Sequence, residues 1–408
     1  MNSQNLTTEK QIIENQYSIS QKNLGNVREH LSPSNNNSQT TKLSSSLPEH
    51  QEFLKALQKR IAESTEFFIG YPLNLNFDYT PLIPFFQYLI NNLGDPWESG
   101  YWYIQNKNIE QQCISWLAEL YQLEAEWGYV TSCGTEGNLY GIFLGRELFP
   151  DAILYSSKDT HYSIAKAACM LKVPHVIINS QPHGEIDYEH LKQEISKRTN
   201  HSVILNLNLG TTMKGAVDRI EPAVEILEKL KVPFYIHCDG ALGGMLLPYM
   251  EGAPKISFKD YPIGSIAVSG HKFFGSPIPY GIVLTRKNYT DKIRNKIEYI
   301  GCNDTTISGS RSGLACLFLW YAIMTRGQYF PGEVSTCLEN ARYLYKRLEE
   351  IGYKPFLNNF STTVVFDKPS IKICQKWQLA TENSLAHIVV MQHLSQLKID
   401  LFIDDLLA

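Results

Sequence analysis

The sequence lacks a hydrophobic run long enough to cross a membrane and lacks an excess of charge of one sign. Its longest apolar run, residues 314–324, is eleven residues long, whereas a membrane-spanning helix needs about 18 to 20. The 37 basic and 41 acidic side chains give a net charge of −4 and are scattered along the chain. Because no broad basic surface is expected, neither nucleic acid nor a membrane is a predicted partner. A small molecule is the favoured ligand.

The eight cysteines lack the close spacing of a metal site or a disulfide framework. They lie far apart, with no C-x-x-C pair, at positions 113, 133, 169, 238, 302, 316, 337 and 374. This pattern favours buried, reduced thiols that act as small apolar side chains. We therefore expect a cytoplasmic protein with no metal site.

The first 48 residues have few of the apolar side chains that a folded core needs. Of these residues, 26 are Ser, Thr, Asn or Gln, and such a composition cannot offset the entropy lost on ordering. We predict a disordered polar tail over residues 1–48. It has no apolar core of signal-peptide type, and its glutamates argue against an organellar transit peptide, although its serine content leaves that alternative open. A helical pattern begins at Pro48.

Seven short β-rich runs alternate with helical stretches in the middle of the chain. The runs are residues 127–131, 152–155, 175–178, 202–205, 234–237, 265–268 and 281–284. This alternation predicts an α/β sheet of about seven strands with helices on both faces. Ligands of such sheets bind beyond the carboxyl ends of the strands, so the residues that follow each strand are the first candidates for a site.

The remainder of the chain predicts two further parts around this sheet. Helical stretches at 314–325 and 334–351 precede strand-like segments at 362–367 and 387–391, a pattern typical of a smaller α+β domain. We therefore divide the folded chain into an N-terminal segment (49–100), a large domain (101–300) and a small C-terminal domain (301–408).

Three polar clusters follow predicted strands. Residues 131–138 (TSCGTEGN) open a helix, and the backbone N–H groups of a helix N-terminus can bind phosphate, although such a turn is more often an ordinary cap. Asp239 follows the strand at 234–237, where its carboxylate could pair with a protonated ring nitrogen or form a simple turn. Lys272 lies between Gly270-His271 and two phenylalanines. Such surroundings can lower the pKa of a lysine as imine formation requires, or the lysine could extend to solvent.

Together, these clusters resemble the constellation of pyridoxal 5'-phosphate (PLP) enzymes of fold type I, in which the phosphate, the pyridine nitrogen and the aldehyde each need a partner. The chain resembles the group II PLP-dependent amino-acid decarboxylases over about residues 68–405, most closely the bacterial histidine decarboxylases and the plant serine decarboxylases. The segments that carry the resemblance are residues 70–72, 76–79, 135–138, 160–163, 210–212, 237–241, 269–272 and 309–311.

The resemblance implies a role for each matching residue. Lys272 is implied to bind the cofactor as an imine, Asp239 to bind the pyridine nitrogen, and His161 and Ala241 to lie on opposite faces of the ring. His161 is also a candidate catalytic residue, since an imidazole can relay a proton, and a tyrosine or Lys272 itself is the alternative donor to Cα. The implied phosphate ligands are Gly134, Thr135, Ser269 and His271, and Thr212 is implied to reach the 3-oxygen of the ring.

The resemblance further implies an obligate homodimer with active sites at the subunit interface. Candidate residues for the substrate or the interface are Tyr71, Asp78, Ser310, Arg311 and His387. The expected reaction is the decarboxylation of an L-amino acid to carbon dioxide and a primary amine. Segments 155–163 and 275–279 are nearer to the histidine enzymes, whereas segments 76–82, 92–96 and 386–391 are nearer to the serine enzymes. Histidine is narrowly preferred, and serine is the alternative.

Other functions compete with this interpretation. An aminotransferase of the same fold commonly holds the substrate carboxylate with an arginine near the chain end, but the last arginine here is Arg347. A catalytically silent scaffold would usually have lost the lysine or the aspartate, and an oxidoreductase of Rossmann type would carry the G-x-G-x-x-G pattern that this sequence lacks.

The sequence departs from both groups of relatives at three places. Residues 312–314 (SGL) replace Asn-Gly-His, Tyr280 replaces a cysteine, and the aromatic stretch 101–105 (YWYIQ) replaces a less aromatic segment. A changed substrate follows if these residues border the pocket, whereas the aromatic stretch could instead pack at the dimer contact.

Overall fold

The computed structural model describes residues 47–408, so residues 1–46 of the predicted polar tail lie outside the described residues. The chain divides into two compact units at Thr65 and Glu66. The described part of the first unit belongs to helix α1 (Leu47–Glu66), which confirms the helical pattern at Pro48. Among residues 47–408, no helix is long and apolar enough to span a membrane.

The second unit contains ten further α-helices among its described residues. They are α2 (Lys107–Leu120), α3 (Gly134–Leu148), α4 (Tyr162–Leu171), α5 (Tyr188–Ser196), α6 (Ile220–Leu230), α7 (Gly243–Leu246), α8 (Gly313–Arg326), α9 (Phe330–Glu350), α10 (Ile371–Lys376) and α11 (Gln396–Leu407). Short 3₁₀ helices of three to eight residues lie among them, the longest at Thr80–Gln87.

The large sheet has the seven predicted strands. They are β1 (Glu126–Thr131), β2 (Ile153–Ser157), β3 (His175–Ile178), β4 (Val203–Asn208), β5 (Phe234–Asp239), β6 (Ile263–Ser269) and β7 (Gly281–Arg286). Their order across the sheet is β1-β7-β6-β5-β4-β2-β3. Strand β7 runs in the direction opposite to the other six strands, which confirms a mostly parallel sheet. The carboxyl ends of the other six strands therefore share one edge.

Helix α3 lies close to this sheet because glycines face it at every fourth position. Gly137, Gly141 and Gly145 recur on one face of the helix. A Cβ added to Gly141 would lie 2.1 Å from the ring nitrogen Nδ1 of His237 on β5, and one added to Gly137 would lie 2.9 Å from the Cβ of Ala267 on β6. The close approach brings the N-terminus of α3 to the carboxyl edge of β5 and β6.

A second, antiparallel sheet forms the centre of the small C-terminal domain. Its strands β10 (Phe356–Leu357), β11 (Thr363–Asp367), β12 (Ala380–Glu382) and β13 (Leu385–Val389) have the order β10-β11-β13-β12. Helices α9 and α11 contribute side chains to its core, in which Phe366, Trp377 and Phe402 are buried. This sheet and the large one confirm the predicted fold class. A two-stranded ribbon of β8 (Asn295–Ile297) and β9 (Cys302–Asp304) was not predicted.

A buried ion pair joins α2 to the segment that precedes α8. The carboxylate of Glu110 accepts from Arg311, from the backbone N–H of Val130 and from the side-chain amide of Asn92. The guanidinium of Arg311 also donates to the backbone oxygen of Gly94. Both charged side chains are at most 2% exposed. Because both charges are shielded from water, each is stabilised mainly by the opposite charge of its partner, and removing one would leave the other buried without a counter-charge.

We predict that Glu110→Gln lowers the free energy of unfolding by about 3–5 kcal/mol, because it leaves the buried guanidinium of Arg311 without a counter-charge. Urea unfolding of the full chain measures the effect. Glu225→Gln is a matched control, since it removes one partner of the exposed Lys229–Glu225 pair, and little change is expected there. An equally small effect at Glu110 would contradict the role assigned to the buried pair.

Candidate active site

A cavity of about 620 Å³ opens at the carboxyl edge of the large sheet. Strands β4, β5 and β6 supply residues at their ends, the N-terminus of α3 supplies others, and the small domain supplies part of the wall. The predicted site residues on the wall are Tyr71, Gly134, Thr135, His161, Thr212, Asp239, Ala241, Ser269, His271, Lys272 and His387. The fold thus brings together all of the predicted cofactor residues.

The N-terminus of α3 forms a cradle with the end of β6. The helix begins at Gly134, and its N-cap residue, Cys133, makes no side-chain cap hydrogen bond. A Cβ added to Gly134 would lie 2.3 Å from the hydroxyl oxygen of Ser269, so only glycine lets these groups approach so closely. Free N–H groups at a helix N-terminus attract an anion such as phosphate.

Asp239 ends β5, so the strand is two residues longer than predicted. Its Oδ2 accepts from the side-chain amide of Asn138 at 2.7 Å, and its Oδ1 accepts from the backbone N–H of Ala241 at 3.1 Å. The residue is 6% exposed. Two donors hold the carboxylate in one orientation at the strand end, where it can accept from a protonated ring nitrogen.

Lys272 lies three residues beyond the end of β6 and lines the same cavity. Loss of hydration lowers the pKa of its ammonium group, and the nearby charge of Asp239 opposes this shift. The net lowering favours the uncharged amine, which is the form that attacks an aldehyde carbon.

His161 lies at the start of α4 as its N-cap. Its Nδ1 accepts from the backbone N–H of Ser163 at 3.3 Å and lies 2.8 Å from the hydroxyl of the same serine. Loss of hydration lowers the pKa of the imidazole. The positive charges of Lys272 and Lys166 lower it further, and the negative charge of Asp239 opposes the shift. The neutral ring is therefore favoured, and it faces the cavity as a flat apolar surface.

His271 and His387 use ring nitrogens to hold the cavity wall. Nδ1 of His271 lies 2.9 Å from the backbone oxygen of Tyr280, so in a neutral ring the second nitrogen carries no hydrogen for a phosphate. The ring nitrogens of His387 lie 3.0 and 3.1 Å from the backbone oxygens of Met213 and Gly70. His387 thus joins the small domain to two cavity segments, since each of its ring nitrogens lies within hydrogen-bond distance of a backbone oxygen.

Three predicted residues do not line this cavity. Asp78 is exposed and accepts from the backbone N–H of Thr80, and Ser310 is exposed and contacts the side-chain amide of Asn91. Arg311 is buried against Glu110. Their predicted place at a subunit interface stays a prediction.

The three departures from the relatives also lie away from the cavity wall. The ring of Tyr280 is buried against Gly270, where an added Cβ would meet it at 1.8 Å. Ser312 is the N-cap of α8 and accepts from the backbone N–H of Ala315. In the stretch 101–105, Tyr101 and Tyr103 are strongly exposed. None of these side chains lines the cavity in the described chain.

The donor set of this cavity fits PLP. The cradle at Gly134 suits its phosphate, the carboxylate of Asp239 suits its ring nitrogen, and the amine of Lys272, with its lowered pKa, suits its aldehyde. The parallel sheet with these three groups at one edge defines a PLP enzyme of fold type I.

Comparison with known proteins identifies the family. The pyridoxal-dependent decarboxylase conserved domain matches residues 90–366, and the chain therefore belongs to the pyridoxal-dependent decarboxylase family. It is 45% identical to serine decarboxylase 2 of Oryza sativa subsp. japonica over 362 residues, which are 87% of this chain and 76% of the relative. It is 40% identical to histidine decarboxylase of Morganella morganii over 368 residues, 88% of this chain and 96% of the relative.

Solved structures agree with this assignment. L-methionine decarboxylase from Streptomyces sp. 590, in its internal aldimine form, superposes with a TM-score of 0.82 at 25% identity, covering 92% of this chain and 98% of that one. Glutamate decarboxylase of Lactobacillus brevis has a TM-score of 0.74 at 16% identity, covering 93% and 95%, and supports the fold alone.

Sequence reasoning missed four polar residues around the site. Asn138, Ser163 and His237 form hydrogen bonds behind Asp239 and His161. Asn208 ends β4 on the cavity wall and donates to Asp218 and Thr160. Asn138 and Ser163 lie inside segments that carry the family resemblance, and this is the signal that could have found them.

We predict that His237 contributes a rise of the unfolding free energy with pH between about 4 and 6.5, and that His237→Gln removes this contribution. Burial lowers the pKa of His237 to about 4, below the ordinary value of about 6.5. In this window the unfolded chain binds a proton that the folded chain excludes, so stability is lost as the pH falls. The contribution is up to about 3 kcal/mol.

Urea unfolding at pH values between 4.5 and 7 measures this dependence. Glutamine removes the titrating ring but retains a donor that can reach Asn138. An equal pH dependence in the variant would show that His237 does not produce it.

Proposed function

We propose that this PLP-dependent amino-acid decarboxylase acts on L-histidine and releases carbon dioxide and histamine. The observation that carries the proposal is the cavity itself, which joins the Lys272–Asp239 pair to a wall rich in large apolar side chains. These are Phe68, Tyr71, Leu242, Leu246 and Phe360. Such a wall suits a planar ring better than a hydroxymethyl group. The chain also matches 96% of the length of the Morganella morganii histidine decarboxylase.

L-Serine is the second candidate substrate. Three rice serine decarboxylases are 44–46% identical to this chain, whereas the Morganella, Vibrio and Acinetobacter histidine decarboxylases are 40–41% identical. The product of serine decarboxylation would be ethanolamine. Because the Solanum lycopersicum histidine decarboxylase is also 44% identical, overall identity does not separate the two substrates.

In the proposed mechanism, the residues of this chain bind, orient and protect the reacting groups. When bound, PLP withdraws electrons from the substrate Cα, which allows the bond to the carboxylate to break. Lys272 would hold the cofactor through Nζ until a substrate amine displaces it. Asp239 would keep a proton on the pyridine nitrogen. The N–H groups at Gly134 and Thr135, with the hydroxyl of Ser269, would hold the phosphate.

His161 and Ala241 would enclose the cofactor ring, and Thr212 would reach its 3-oxygen. His161 is also the candidate that returns a proton to Cα, since a neutral imidazole can donate from one ring nitrogen. An aminotransferase reaction is disfavoured, because Arg347 is engaged by Asp400 and Tyr343 and does not line the cavity.

We also propose that the chain works as a homodimer. Large apolar side chains are exposed along one stretch of chain, among them Ile83, Phe86, Leu89, Tyr101 and Tyr103. Asn91 joins the segments around this stretch, because its backbone N–H donates to Ile104 and its side chain contacts Ser310. Exposed apolar clusters of this kind favour association. Ser310 would then lie near the interface, as expected from the sequence.

We predict that the cofactor-loaded enzyme, incubated with each of the twenty amino acids, produces histamine from histidine. Mass spectrometry identifies the amine. Ethanolamine from serine, with no histamine, would overturn the histidine proposal and establish the second candidate.

Lys272→Ala is the control for this experiment. It should abolish both amine release and the visible absorbance of the lysine-bound cofactor. If the wild-type protein shows that absorbance but releases no amine from any amino acid, the proposed decarboxylase activity is wrong.

A further inference from the structure

A chain of buried hydrogen bonds joins Asp239 to His161 through Asn138 and Ser163. The amide nitrogen of Asn138 lies 2.7 Å from Oδ2 of Asp239 and 2.9 Å from the hydroxyl oxygen of Ser163. The hydroxyl of Ser163 in turn lies 2.8 Å from Nδ1 of His161. Asn138 and Ser163 are 2% and 1% exposed, so water does not compete for these bonds.

The carboxylate of Asp239 fixes the direction of this chain. A carboxylate only accepts hydrogen bonds, so Asn138 must turn its NH₂ group, and not its oxygen, toward Asp239. The amide oxygen of Asn138 then faces Nε2 of His237 at 3.0 Å and needs a hydrogen there. His237 therefore carries its proton on Nε2, and its Nδ1 accepts from the hydroxyl of Ser265 at 2.8 Å.

The second amide hydrogen of Asn138 fixes the hydroxyl of Ser163. Because Ser163 accepts from Asn138, its own hydrogen is available for Nδ1 of His161. The backbone N–H of Ser163 donates to the same nitrogen at 3.3 Å. Nδ1 of His161 thus faces two donors and must present a lone pair.

We infer that Asn138 and Ser163 are positioning residues that fix the tautomer of His161, so that its single N–H lies at Nε2. The Nε2–H is then the only proton that the neutral ring can offer in the cavity. The charged groups that act on this ring are Asp239, Lys272 and Lys166, and the ring of Tyr162 lies 4.2 Å from it. The tautomer follows from the hydrogen bonds alone, and only its use in turnover depends on the proposed function.

Nitrogen-15 NMR of the cofactor-loaded protein labelled at its eleven histidines tests the inference. His161→Gln and His237→Gln assign the two signals by their loss. We expect a protonated Nε2 and an unprotonated Nδ1 in both rings. A proton on Nδ1 of His161, or on Nδ1 of His237, would overturn the inference, and neither outcome depends on which substrate is decarboxylated.

A second measurement follows the pKa of His161 in Ser163→Ala. The hydroxyl donates to the neutral ring and opposes its protonation, so its removal should raise this pKa by about 1, the effect of one lost hydrogen bond. Ser163→Thr keeps the hydroxyl and should restore the wild-type value. Ser370→Ala removes the capping hydroxyl of α10 and should leave His161 unchanged. A wild-type pKa in Ser163→Ala would contradict the positioning role.

Turnover provides the third readout. Ser163→Ala should lower kcat at least tenfold with little change in KM, because only the longer bond from the backbone N–H would then hold the proton of His161 at Nε2, while the cavity wall that binds substrate stays intact. An equal loss in Ser163→Thr, or a loss confined to KM, would indicate a structural role and contradict the inference.

Discussion

The carboxylate of Asp239 is the group on which the rest of the site depends. It ends a central strand, is 6% exposed, and is held by Asn138 and by the backbone N–H of Ala241. Its charge acts on Lys272 and His161, and its need for donors orients the amide of Asn138. One buried charge therefore orients the hydrogen bonds behind the neighbouring ring, and in the proposed mechanism it would also hold the proton on a bound pyridine nitrogen.

The close packing of α3 on the sheet places Asn138 within hydrogen-bond distance of Asp239. The glycines of α3 let the helix lie against β5 and β6, so that Asn138 reaches Asp239 from the helix. The same helix presents its N-terminus to the cavity at Gly134. A single helix thus places the proposed anion cradle at its first turn and the amide of Asn138 one turn later.

Local sequence patterns were enough to predict the seven strands of the sheet, although five of the predicted carboxyl ends fall one to three residues short of the observed ones. Asp239, Ser269 and Lys272 were found because each lies at or just after a strand. Asn138 was missed because its partner Asp239 lies 101 residues away. Ser163 lies beside His161 in the sequence, but its link to Asn138 spans 25 residues. The ion pair of Arg311 with Glu110, 201 residues away, was also not expected from the sequence. Such pairings depend on the folded chain, which a motif does not describe.

Asp239→Asn tests the central role of this carboxylate most directly. The change preserves size, removes the charge and replaces one of the two accepting oxygens with an NH₂ group. The account predicts an unchanged circular dichroism spectrum together with a loss of amine formation on the order of 10²-fold or more. Wild-type turnover in a variant that still binds PLP would contradict the account, because the charge at the strand end would then be dispensable.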